Sequence, residues 1–146
     1  MASDAIENTI SALLLGQFDS ERSLVNRVFS AAGWQLHESR NKRRALQRLR
    51  KTPVQVVIAE SELEGWNWKD VLDELRRMAC PPQLVVASRV ADERLWSEVL
   101  NIGAFDVLAQ PFEAEELRRV IEAAGRHFNR QTVGSVETPS RTFSAA

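Results

Sequence analysis

The side chains able to do chemistry are few and mostly scattered. The densest acidic set is Glu60, Glu62 and Glu64, followed by Asp70, Asp73 and Glu74. Calcium binding would need oxygen ligands at set spacings around a glycine-turned loop, and that pattern is absent. The densest basic set is Arg40-Asn41-Lys42-Arg43-Arg44, continuing to Arg48, Arg50 and Lys51. Such a run could hold an acidic partner or a phosphate backbone. Apolar residues interleave with it at helical spacing, so it reads first as a solvated helix face, and no aromatic ladder accompanies it. His37 and His127 are too few for a histidine metal centre. His37 has no acid at a useful spacing, and His127, near an expected helix end, reads as structural through the helix dipole. The single cysteine, Cys80, excludes an internal disulfide and a cysteine-rich zinc site, and it has no activating basic neighbour. A nucleophile elbow, a P-loop and a dinucleotide fingerprint are all missing.

Composition narrows the classes further. A length of 146 residues fits one domain, and 44% hydrophobic with 27% charged residues is ordinary for a globular protein. Nineteen basic against twenty acidic side chains leave a net charge of −1, which argues against a dedicated nucleic-acid binder. No apolar run approaches the ~20 residues of a membrane span. Met1 to Ile10 carries Asp4 and Glu7 without a basic leader, so residues 1–10 read as an N-terminal extension rather than a secretory signal. The expected setting is the cytoplasm.

The elements that would position these residues alternate between two patterns. Short apolar runs at Ser11–Leu15, Val54–Ala59, Leu84–Ala87 and Phe105–Ala109 read as buried strands, with a weaker one at Trp34–His37. Helical spacing follows each. Leu24, Val25, Val28 and Phe29 form the apolar stripe of a first helix that Asp19 can cap and Gly33 stops. Asn41–Lys51, Trp68–Met78, Asp92–Asn101 and Glu113–His127 give four more. From Asn129 onward the chain is rich in Ser and Thr and reads as a flexible tail. Residues 11–128 therefore form one α/β domain of (βα)5 order. Strands apolar throughout need helices on both faces, so the sheet is parallel and doubly wound. The leading topology is flavodoxin-like, strand order 2-1-3-4-5, with its ligand loops beyond the carboxyl ends of the strands. Those loops are Gly16–Asp19, Glu60–Asn67, Ser88–Ala91 and Gln110–Glu113.

Several landmarks resemble the receiver domain of bacterial two-component response regulators over roughly Ser11 to Phe128. Leu13-Leu14-Leu15, with Arg22 six residues beyond Gly16, resembles the first strand and helix. Gly33-Trp34 resembles the Gly-aromatic pair before strand two, and Val56-Val57-Ile58-Ala59-Glu60 the strand that presents the phosphorylated aspartate. Gly103-Ala104-Phe105-Asp106-Val107-Leu108-Ala109-Gln110-Pro111-Phe112 resembles the Gly-Ala…Lys-Pro-Phe segment and is the most specific piece.

The resemblance implies phosphoryl transfer from a histidine kinase to an aspartate, with Mg²⁺ held by that aspartate and an acidic pair after strand one. A Thr or Ser and a Lys contact the phosphoryl oxygens, and an aromatic residue on strand five couples the site to the surface. In this chain the acidic-pair positions fall on Gly16 and Gln17, the phosphoacceptor on Glu60 (or Ala59, if the loop length differs), and the Ser/Thr on Ser88 or, with one extra loop residue, Ala87. The Lys position is Gln110 and the aromatic position Val107, with Phe105 on the same strand parity. Mg²⁺ then has at most one charged ligand, and no fixed cation meets the transferred charge. The expectation is a kept fold and a lost chemistry: no catalytic residue, no metal or other cofactor, Mg²⁺ binding lost or weak. Glu60 is either a permanent carboxylate near the place of an aspartyl phosphate or a solvated surface residue.

The function expected is a stand-alone, atypical receiver-like domain, not an enzyme, acting through an unidentified signalling protein, without membrane or nucleic-acid partners. Trp96, Phe105 and Trp66 are candidate partner-surface residues, Trp66 reading somewhat better as a loop plug and Trp96 more often core. The resemblance adds a homodimer through helix four, strand five and helix five. Two other readings stand beside this one: a receiver phosphorylated at a non-standard carboxylate, Asp19 or Glu60, and a small-ligand flavodoxin-like binder.

Overall fold

The computed structural model describes residues 9–134. The elements run β1 (Ser11–Leu15), α1 (Arg22–Ala32), β2 (Gln35–Ser39), α2 (Lys42–Lys51), β3 (Val56–Glu60), β4 (Glu62–Leu63), β5 (Trp66–Asn67), α3 (Trp68–Arg76), β6 (Gln83–Ser88), α4 (Glu93–Ile102), β7 (Asp106–Ala109) and α5 (Ala114–Gly134). The main sheet has the order β2-β1-β3-β6-β7, and all its pairings are parallel. With the small β4-β5 hairpin set aside, this is the expected 2-1-3-4-5 order.

Successive residues of a strand point to opposite faces. Leu14, Ile58, Val85 and Leu108 therefore enter a layer with Val25 and Phe29 of α1 and Leu117 and Ile121 of α5. Leu13, Val57, Leu84 and Val107 enter a second layer with Leu49 of α2, Leu72 and Leu75 of α3, and Val99 of α4. Both faces of β1, β3 and β6 are covered, which is why their sequences are apolar without alternation. A truncation such as Ile58→Ala in this core costs roughly 2–5 kcal/mol. β2 lies at the sheet edge and is only part-buried, in keeping with its polar sequence.

Several expectations need correction. Asp19 does not cap α1: the N-cap is Glu21, without a side-chain cap bond, and Asp19 instead pairs with Arg40 at 2.7 Å and Arg22 at 3.8 Å. Glu60–Asn67 is not a plain loop but carries the hairpin, in which Leu63 pairs with Trp66. Trp66 is buried in the second layer with Lys42 Nζ 4.9 Å over its ring, so the favoured reading as a plug holds and its place among the partner-surface candidates does not. Phe105 precedes β7 and packs on the first layer while Val107 enters the second, so the parity argument fails outside the strand.

The last helix does not end at His127 but runs to Gly134, because its final turns have sheet partners. Gln55 Nε2 donates to Asn129 Oδ1 at 3.2 Å, and Gln83 Nε2 donates to Gln131 Oε1 at 2.9 Å. The dipole argument for His127 lapses accordingly. Burial, then Arg130, lowers its pKa below the ordinary 6.5. At the other end Ile10 is buried against α5 and belongs to the domain. The remainder of the N-terminal extension, 1–8, and of the expected flexible tail, 135–146, lies outside the described residues.

Candidate functional site

The carboxyl ends of the strands are joined by main-chain bonds that carry the ladder into the loops. Gly16 N–H donates to the Ser39 carbonyl at 3.0 Å, Ser61 N–H to Ala87 at 2.8 Å, and Gln110 N–H to Ser88 at 2.8 Å. Glu60, Ser88 and Gln110 consequently line one cleft of about 480 Å³, together with Asn67, Lys69 and Glu98. Ala59 is fully buried in the core, so Glu60 is the residue β3 presents. Ala87 also lines the cleft, but only Ser88 brings a hydroxyl there.

Glu60, Ser88, Lys69, Asn67 and Gln110 each have a partner within the chain, while Arg89 stands exposed at the rim of the cleft. Glu60 is half-buried, and its Oε1 accepts the Gln17 backbone N–H at 2.9 Å. Gly16 lies against the same carboxylate. Its φ is +134°, a conformation that favours glycine, and an added Cβ would stand 2.6 Å from Glu60 Oε1. Glu60 thus occupies the space into which a side chain at residue 16 would extend. Ser88 Oγ accepts the Val90 N–H at 3.0 Å. Lys69 Nζ meets Glu98 Oε2 at 2.7 Å, joining α3 to α4. Asn67 caps α3 and forms a capping box with Asp70.

Gln110 turns the other way. Its Nε2 donates to Glu21 Oε1 at 3.2 Å, and both residues are buried. Glu21 is 3% exposed and its second oxygen has no partner. The Gln110–Pro111 peptide is cis.

A family model for the response regulator receiver domain matches residues 18–122. The chain belongs to that family. The receiver domain is 24% identical over 112 residues to Regulatory protein AtoC of Escherichia coli (strain K12), covering 77% of this chain and 24% of that protein's length. It is 22% identical over 106 residues to Chemotaxis protein CheY of Thermotoga maritima, covering 72% of this chain and 86% of that one. Among solved structures, full-length FixJ from B. japonicum superposes with a TM-score of 0.75 at 20% identity, over 87% of this chain and 63% of that one. The signal receiver domain of an HD domain-containing protein from Pseudomonas fluorescens Pf-5 gives 0.72 at 20% identity, over 83% and 98%.

The remaining candidates sit away from the receiver domain's cleft. Val107 is fully buried in the second layer, an aliphatic side chain where the resemblance placed an aromatic. Trp96 is 38% exposed on α4, contrary to a core reading, and Leu100 one turn on is 52% exposed. Phe105 is half-buried, its ring 5.5 Å from that of His127. Sequence reading missed Glu21, Lys69 and Glu98. A signal existed for Glu21, which falls on the Val25–Val28 stripe at i, i+4 and i+7. None existed for the Lys69–Glu98 pair, which depends on the packing of two helices. No helix of the described residues is long and apolar enough to cross a membrane.

Proposed function

We propose that this receiver domain has kept the fold, given up phosphoryl transfer, and signals in the cytoplasm through contact with other proteins. One observation carries the reading: Glu60 stands at the end of β3 with Gly16 packed against it and its Oε1 held by the Gln17 N–H. The donor set does not fit Mg²⁺. Gly16 and Gln17 bring no carboxylate, and a hard ion wants several oxygen ligands in octahedral array. The lysine position also supplies no cation, since Gln110 is neutral and bound to Glu21. Of the two cations that line the cleft, Lys69 has its ammonium held by Glu98, and Arg89 is exposed on the loop after β6, away from the lysine position at Gln110.

The contact surface on this reading is α4 with β7 and α5, where a second copy would dock. Val90 is 69% exposed just before α4, and Trp96 and Leu100 follow on one helix face. The sedimentation mass at micromolar concentration tests that contact; a dimer that Leu100→Glu dissociates supports it, and a strict monomer overturns it. Intact mass after incubation with acetyl phosphate and Mg²⁺ tests the loss of chemistry. An unmodified mass is expected. A phosphoryl adduct abolished by Glu60→Gln or Asp19→Asn would establish the alternative, a receiver phosphorylated at a non-standard carboxylate.

A further inference from the structure

A second depression, of about 720 Å³, lies at the opposite edge of the sheet, beyond the ends of β1 and β2. Its lining includes Arg40, Arg44, Arg48 and Lys51, with Gln47 and Thr52 as neutral hydrogen-bonding groups. Residues 44, 48 and 51 recur at i, i+4 and i+7, one stripe of α2. At 1.5 Å of rise per residue the stripe spans roughly 11 Å.

The acids near this groove are already spoken for. Glu38, which lines it, is bound by Arg22 at 3.0 Å, and Asp19 is bound by Arg40 at 2.7 Å. Among the described residues no carboxylate forms an ion pair with Arg44, Arg48 or Lys51. Arg48 Nη1 lies 3.3 Å from His37 Nδ1, and His37 has its pKa lowered by burial and then by Arg48. A guanidinium only donates, so in this contact Nδ1 accepts, which orients Arg48 and leaves its charge without a carboxylate. Within α2 the dipole favours Arg48 and Lys51 in the last turn but not Arg44 in a first turn that has no acid, and Arg44 and Arg48, four residues apart, repel.

We propose that this groove is the docking surface for an acidic protein segment whose Asp or Glu side chains repeat along one face at the spacing of Arg44, Arg48 and Lys51. The cations lie in a line rather than converging on a point, which suits a row of carboxylates better than a single small anion. Guanidinium forks engage carboxylates bidentately. A nucleic acid fits less well. The chain carries a net −1, the groove lining holds no aromatic to stack a base, and the nearby Trp66 is buried. The proposal rests on the reading that the domain works by protein contact and names the chemistry of one such contact, apart from α4.

The test is fluorescence anisotropy with the intact chain and three probes at low and raised salt. They are a labelled helical peptide of about 18 residues with Glu at i, i+4 and i+7 repeats, its Gln counterpart, and a DNA duplex of similar length. The acidic peptide is expected to bind at low salt, weaken as salt rises, and outbind the Gln peptide by about tenfold or more. Arg44→Glu with Arg48→Glu should abolish that binding and confer binding of a Lys-substituted peptide, a gain that an unfolded variant would not give. Absence of acidic-peptide binding, binding unchanged by the double substitution, or tighter binding of the duplex would each overturn the proposal. Sedimentation of the same samples separates the two readings. Peptide binding by a strict monomer sinks only the α4 contact, and a dimer that ignores the peptide sinks only the α2 site.

Discussion

The cleft at the carboxyl ends of β3 and β6 and the groove along α2 differ in what their polar groups do. In the cleft at β3 and β6, Glu60, Ser88, Lys69 and Gln110 each have a partner within the chain. In the groove at α2, Arg44, Arg48 and Lys51 have no carboxylate, although they are as exposed as the rest of that helix face. Polar groups that satisfy one another hold a fold together; charges left unpaired contribute little to it and remain free for a partner. On the proposed reading, the Glu60, Ser88, Lys69 and Gln110 set braces the fold, and the α2 stripe is left for a partner.

Substitutions can break that contrast. The largest effect is expected at Gly16. Gly16→Asp forces a side chain at φ +134° into Glu60, and should cost roughly 2–4 kcal/mol in denaturant unfolding. In Gly16→Ala the collision part of the cost should fall when Glu60→Ala is added, giving a non-additive pair. Glu21→Ala strips the buried Gln110 amide of its acceptor and should cost about 1–3 kcal/mol; no loss would mean the pair does not brace the cleft. Asn67→Ala removes the capping box of α3, about 1 kcal/mol in thermal unfolding. Arg44→Ala with Arg48→Ala should change stability by less than about 0.5 kcal/mol, since the relief of like charges on one helix offsets the loss of a last-turn cation. A larger loss would show that the groove, too, is structural.

The smallest effect is a pH dependence. Burial lowers the pKa of both His37 and His127, with Arg48 and Arg130 adding to it. Between each folded pKa and 6.5 the unfolded chain binds more protons than the native one. Stability should therefore hold above 6.5 and decline as the pH falls below it. His127→Gln should flatten part of that decline in urea titrations across pH 5–7.

The fold was largely legible because β1, β3 and β6 are apolar runs, and such runs need cover on both faces. What was hidden depends on distant partners. Asp19 looks like a cap in local sequence, yet its carboxylate is taken by Arg40, twenty-one positions away. The last turns of α5 look like a polar tail because Asn129 and Gln131 are polar; they are held by Gln55 and Gln83 at the amino-terminal side of the sheet. The β4-β5 hairpin has two residues per strand, too few for a period to register. Of the candidate site, the positions of Gly16, Glu60, Ser88 and Gln110 were readable from the strand ends. Their partners were not: nothing local says that Glu60 fills the space beside Gly16 or that Gln110 turns toward Glu21.

The central claim is that Glu60, Ser88 and Gln110 are held from within and no longer serve phosphoryl chemistry. It is tested most directly by a heteronuclear NMR titration with Mg²⁺ and then beryllofluoride, a phosphoryl mimic. A well-dispersed spectrum that does not move is the predicted result. Saturable shifts centred on Glu60, Ser88 and Gln110 would contradict it and return the cleft to phosphoryl chemistry.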